Sequence, residues 1–111
     1  MKLPPDTVIA PEKIFRYLLV PQAKGDKSAF LALAGYNLSN ASLLIDDIHN
    51  HIFHGDASLV DSTAHGEYYE IRSSLTGPNG ETLMVRTIWM KELLSGLTKF
   101  ITLIPERKYR P

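Results

Sequence analysis

Residues 66–90, GEYYEIRSSLTGPNGETLMVRTIWM, hold two strand-like runs joined by Gly77-Pro78-Asn79-Gly80. Pro78 at the second place of a tight turn, Asn79 at the third and Gly80 at a left-handed position predict a type I turn closed by a bulge. A loop of that length sets the pairing, so that Leu75 faces Leu83, Ile71 faces Thr87 and Tyr69 faces Trp89. A slip of one residue would send Trp89 to the opposite face from Tyr69. The inner face then carries Tyr69, Ile71, Leu75, Leu83, Val85 and Trp89. The outer face displays Tyr68, Glu70, Arg72 and Arg86.

Upstream of this hairpin the apolar period is helical. Pro11 suits a first helical position and Glu12 its positive end. Ile14, Tyr17 and Leu18 share a face, so residues 11–19 read as a short helix that Pro21 ends. Asp26 is placed to cap a second helix through Lys27, Phe30, Leu31 and Ala34, with Gly35 as a left-handed stop. Ser39 is the expected cap of a third, whose stripe is Ala41, Leu44, Ile45, Ile48 and Ile52. After Gly55 the period changes. Strands are expected over residues 57–62, 67–76, 81–90 and 99–104, with Ser95-Gly96 turning into the last and Pro105 ending it. Helices first and strands second predict an α+β fold: about three short N-terminal helices on one face of a four-stranded antiparallel sheet. Residues 1–111 form one domain in this reading, with 106–111 as a loose tail.

The chain has 111 residues, no cysteine, and 12 basic against 12 acidic groups. The missing cysteines exclude a disulfide framework and a thiol nucleophile, and fit a reducing compartment. No apolar run approaches the ~20 residues of a membrane span, and MKLPPDTV does not read as a secretory signal. A cytoplasmic location with no membrane partner is the expectation. Net neutrality argues against broad capture of nucleic acid. Charge is nonetheless uneven. Residues 37–65 hold four acids, no Lys or Arg, and all four histidines, whereas residues 66–111 hold seven Lys or Arg against five Glu.

Four groups of side chains offer chemistry. Arg72 opposite Arg86 places like charges face to face, which destabilises a sheet unless something neutralises them. Glu70 is one neutraliser and a bound phosphate another. With a phosphate, Arg72 and Arg86 would grip its oxygens and Tyr68 would stack a base. The plainer reading is a solvated strand face whose arginine stems cover Met84 and Ile88. His65, in the turn before Tyr68, carries an imidazole, the side chain whose unperturbed pKa (~6.5) suits proton transfer near neutrality, and with Glu70 could move protons in cleaving a phosphodiester. An exposed turn histidine without a role is the alternative. Lys24 and Lys27, flanking Gly25-Asp26, could help hold a phosphate or could be solvated loop lysines. Asp47, His51 and His54 fall on one helical flank, but their spacing matches no strong metal signature, so no metal is expected. Walker, dinucleotide, G-x-S-x-G and H-E-x-x-H motifs are absent, and no cofactor is expected.

The segments LPPDTVIAPEKIFRYLLVP, KSAFLALAGY, GEYYEIRSSLTGPNGETLMVRTIWM and LTKFITLIP, in this order, resemble a bacterial family of small domains of unknown function. The resemblance is weakest over residues 42–63. Free-standing members are abundant in cyanobacteria and often encoded beside another small protein. Similar domains sit at the carboxyl ends of phage-head-like and polymorphic-toxin-like proteins. The resemblance implies a toxin-like architecture akin to barnase or RelE, and a metal-independent ribonuclease of a toxin–antitoxin or polymorphic-toxin system. The family supplies no catalytic residues to carry over; on the reading of the side chains above, His65, Glu70, Arg72 and Arg86 would be catalytic in such an enzyme, and Tyr68, Lys24 and Lys27 would bind RNA. The alternative is a non-enzymatic binding module, the partner or neutraliser of the adjacently encoded small protein. Self-association through a sheet edge is a further expectation, because no sequence device protects the last strand.

Overall fold

The computed structural model describes residues 1–24 and 26–106. Three helical segments precede a four-stranded antiparallel meander, an α+β fold. The strands are β1 (Ser58–Ser62), β2 (Gly66–Thr76), β3 (Thr82–Glu92) and β4 (Thr98–Pro105), in that spatial order.

The β2–β3 register is the one the turn chemistry predicts: Tyr69 pairs with Trp89, Ile71 with Thr87, Arg72 with Arg86 and Leu75 with Leu83. Gly80 N–H bonds Gly77 O at 3.0 Å and Gly77 N–H bonds Glu81 O at 2.9 Å, closing the turn and its bulge around Gly80 at φ 88°. Inward side chains of the meander are largely apolar and make the core with the helices. Trp89 is fully buried, with its ring edge-on to Phe100 at 5.2 Å and tilted against Phe53 at 6.0 Å.

Two of the helices differ from the regular ones expected. The segment α1 (Pro11–Lys13) passes at once into a π-helical turn, Ile14–Leu18, closed by Leu19 N–H to Ile14 O at 3.1 Å. Likewise α3 (Ala41–Asp47) runs into a π-helical turn, Ile48–Ile52, closed by Phe53 N–H to Ile48 O at 2.9 Å. Between them α2 (Ser28–Ala32) is short, and Asp26 accepts from both the N–H and the hydroxyl of Ser28 at its start. Ser39 is not the cap of the third helix. Asn37 instead caps the 3₁₀ turn that leads into it, Leu38–Asn40, through a reciprocal pair with Asn40, and Ser39 donates to Asn37; α3 itself starts at Asn40 with no side-chain cap bond. Asparagine serves because its short amide accepts from the backbone two residues on.

The helices meet the hairpin at its turn. Asn79 donates its backbone N–H to Ala34 O at 3.3 Å and its side-chain amide to Leu33 O at 3.0 Å. The edge of β4 is also occupied where it starts. Val8 forms a parallel bridge with Lys99, giving its N–H to Thr98 O (2.9 Å) and accepting from Phe100 N–H (2.8 Å). The N-terminal segment thus covers the start of that edge, which the sequence did not reveal. The opposite edge, β1, is exposed along its whole length, Leu59 and Val60 included. Of the tail expected from residue 106, Glu106 bonds Met84 O through its N–H at 2.8 Å. Residues 107–111 lie outside the described residues.

Candidate functional site

Because strand residues alternate between faces, the helix-free face of the sheet collects Tyr68, Glu70 and Arg72 from β2 and Met84, Arg86, Ile88 and Met90 from β3. At its centre the two opposed arginines share two carboxylates. Glu70 bonds Arg72 Nε at 2.7 Å and Arg86 Nη1 at 3.1 Å, one oxygen to each. Glu106 lies 3.4 Å from Arg72 Nη1 and 3.6 Å from Arg86 Nε. The Glu70 side chain is only 12% exposed, so its charge is committed to the two guanidinium groups rather than to water. These carboxylates hold the Arg72 guanidinium more firmly protonated than usual, chiefly through the Glu70 hydrogen bond. The network is a neutral square, two positive and two negative groups, and Glu70 is the neutraliser that the like-charge pair requires.

Glu106 was not foreseen. Ile88 pairs with Thr102 and Trp89 with Phe100, which leaves Ile101 as the extra residue of a bulge in β4. That residue shifts the in–out alternation beyond it, so counting from the start of β4 misassigns Ile104 and Glu106.

His65 stands elsewhere. It precedes β2, and Arg72 lies six residues into that strand, about 20 Å from its start at ~3.3 Å per residue. His65 and Tyr68 instead line a concavity of about 500 Å³ with Met90, Glu92, Leu93 and Leu94. Its rim is the β3–β4 turn, where Leu93, Leu94 and Leu97 are exposed, Leu94 completely. Glu92 at its edge is held below the usual carboxylate range, first by the Ser95 hydroxyl and then by Lys99 Nζ at 3.2 Å. Lys24 and Lys27 belong to a third place. They line a concavity of about 310 Å³ with Lys13, Tyr17, Gln22 and Thr102. Lys13 and Tyr17 were missed because only the tertiary fold brings the first helical segment beside the loop lysines. The structure therefore distributes the seven candidate residues over three sites.

On the histidine-rich segment, His51 Nε2 lies 3.9 Å from Asp47 Oδ1. The other Asp47 oxygen accepts from the Tyr36 hydroxyl at 2.5 Å. Burial and that hydrogen bond push the Tyr36 phenol well above its ordinary pKa. His54 lies with its ring edge against Phe53 and His49. Among the described residues no group of three or more His, Cys, Asp or Glu is arranged to hold a metal ion. No helix among them is long and apolar enough to cross a membrane.

The architecture is that of a small α+β domain: a meander with one helix-covered face and one charge-paired open face. Residues 4–107 match the model of a family described as a domain of unknown function, DUF6883, and the chain belongs to that family. No curated protein and no solved structure matches it.

Proposed function

We propose that this domain is a non-enzymatic binding module whose partner is a second small protein, the adjacently encoded one being the first candidate. The observation that carries this reading is the exposed leucine turn beside the His65–Tyr68 concavity. Leu93 and Leu94 reach into solvent at the rim of a hollow that Met90 also lines, and exposed apolar clusters of this kind mark protein-binding surfaces. The arginines that a phosphate would need are already matched by Glu70 and Glu106, which weakens the case for a scissile-phosphate site on the open face. Co-expression with the neighbouring gene product and size-exclusion chromatography test the reading. A stable complex that Leu94→Asp abolishes, with the fold intact, is the expected result. No complex, or one indifferent to Leu94→Asp, refutes it.

The second reading is a metal-independent ribonuclease of a toxin-like system. It draws on one observation, that His65 and Tyr68 share a concavity in which an imidazole could transfer protons beside a ring that stacks a base. His65 would then act without Arg72 and Arg86. Incubation with total RNA and with translating ribosomes, together with growth on overexpression, decides it. Cleavage or growth arrest lost in His65→Ala but kept in the Arg72→Ala, Arg86→Ala double variant favours this reading. Intact RNA and unimpaired growth exclude it.

A further inference from the structure

The hollow lined by Lys13, Lys24 and Lys27 differs from the rest of the surface in both charge and backbone. Three lysines line one concavity of about 310 Å³, and among the described residues no Asp or Glu lines it. None of the three makes an ion pair among the described residues. Asp26, the acid nearest in sequence, spends one oxygen on the N–H and hydroxyl of Ser28, which holds its carboxyl below the usual range. The opposed arginines of the open face are paired with carboxylates, whereas none of these three lysines lies within ion-pair distance of one among the described residues. Like charges gathered without a paired counter-charge favour a multiply charged anion between them.

The walls are two irregular pieces of backbone. Tyr17 and Leu18 come from the π-helical turn Ile14–Leu18, and Ile101 and Thr102 from the bulge in β4. Both irregularities are over-represented beside functional sites, where they re-aim side chains. Polar neutral groups stand alongside, the Gln22 amide and the Thr102 hydroxyl, and the exposed Tyr17 ring lies with its centroid 6.0 Å from Lys13 Nζ. The volume is at the lower end of small-molecule sites (about 300–1,000 Å³).

We propose that this hollow binds a phosphate-bearing small molecule of the size of a nucleoside diphosphate, its phosphates among Lys13, Lys24 and Lys27 and its base against Tyr17. The site is separate from the leucine-rimmed concavity and does not depend on the reading given for it.

Titration of the ¹⁵N-labelled full chain with sodium pyrophosphate, ADP and adenosine at low ionic strength tests the proposal. Saturable amide shifts confined to the segment around Lys24 and Lys27, the π-helical turn and Ile101–Thr102 are expected with pyrophosphate and ADP, and none with adenosine. Lys24→Ala and Lys27→Ala should each weaken binding about tenfold, the scale of one hydrogen bond to a charged group. Tyr17→Ala should weaken ADP and leave pyrophosphate unchanged. Lys24→Glu, at an exposed position, provides a second variant should Lys27→Ala disturb the fold. The proposal is overturned if neither phosphate compound gives saturable shifts, or if the lysine variants bind as the parent does. It is equally overturned if a short oligoribonucleotide shifts these amides while ADP and pyrophosphate do not.

Discussion

At the scale of single residues, Thr87 is the most exacting position. It is fully buried opposite Ile71, gives its hydroxyl proton to Ile71 O at 3.2 Å and accepts the Trp89 indole N–H at 2.8 Å. Thr87→Val keeps the shape and removes both bonds, leaving the buried indole N–H unpaired. A loss of about 1–3 kcal/mol is expected, read as a lower urea midpoint with an unchanged slope, whereas Thr87→Ser should keep most of it. An equal midpoint for Thr87→Val would show that the indole finds another partner. The sequence reveals that Thr87 faces Ile71, but its bond to Trp89 depends on rotamers that only packing selects. Glu92 gives the pH-dependent case. Its folded pKa is depressed, first by Ser95 and then by Lys99. Folding therefore favours its charged form, and the stabilisation is present above the unfolded value near ~4.3 and lost as pH falls through the folded one. Side-chain carbon NMR should find Glu92 titrating below the ordinary glutamate range and Ser95→Ala moving it back upward. Titration at the ordinary value in the parent chain would contradict the assignment.

At the scale of elements, the hairpin turn does two jobs, one legible and one hidden. Gly80 is readable from its turn type, with φ at 88° and open space where a Cβ would stand. Gly77 owes its identity to another element, since a Cβ there would come within 2.1 Å of Ala34 O and 2.5 Å of the Ala34 Cβ. Gly80→Ala should cost about 1–2 kcal/mol, from the left-handed backbone alone. Gly77→Ala must instead push the turn away from Ala34 at the end of α2, and its cost should exceed that of Gly80→Ala. Its effect should reach the Asn79 N–H that bonds Ala34 O, as faster hydrogen exchange. Equal costs and unchanged exchange would mean that α2 yields freely. The same distinction explains what could be read of the open face. Tyr68, Glu70, Arg72 and Arg86 follow from one local turn, because a hairpin fixes its own register. Glu106 and the lysine hollow depend on a bulge at Ile101 and on the seating of α1, and local pattern specifies neither.

For the whole molecule, the layout of helices before a meander was readable because each sheet neighbour is also a sequence neighbour. At this scale the sequence did not reveal the parallel bridge of Val8 with Lys99, which joins the beginning of the described chain to its last strand. Its consequence is temporal. The meander can zip from one turn to the next with short loop closures, whereas the bridge must close a loop spanning most of the chain, and the entropy of that closure grows with loop length. The bridge should therefore form after the rate-limiting step. Val8→Pro, which deletes the N–H given to Thr98 O, should leave the refolding rate unchanged and accelerate unfolding. Stopped-flow chevrons separate the two arms, and slowed refolding would place the bridge in the nucleus instead. In kinetic language Val8 is a closing clasp: it governs how long the finished molecule stays shut, while the hairpin governs how soon it is made.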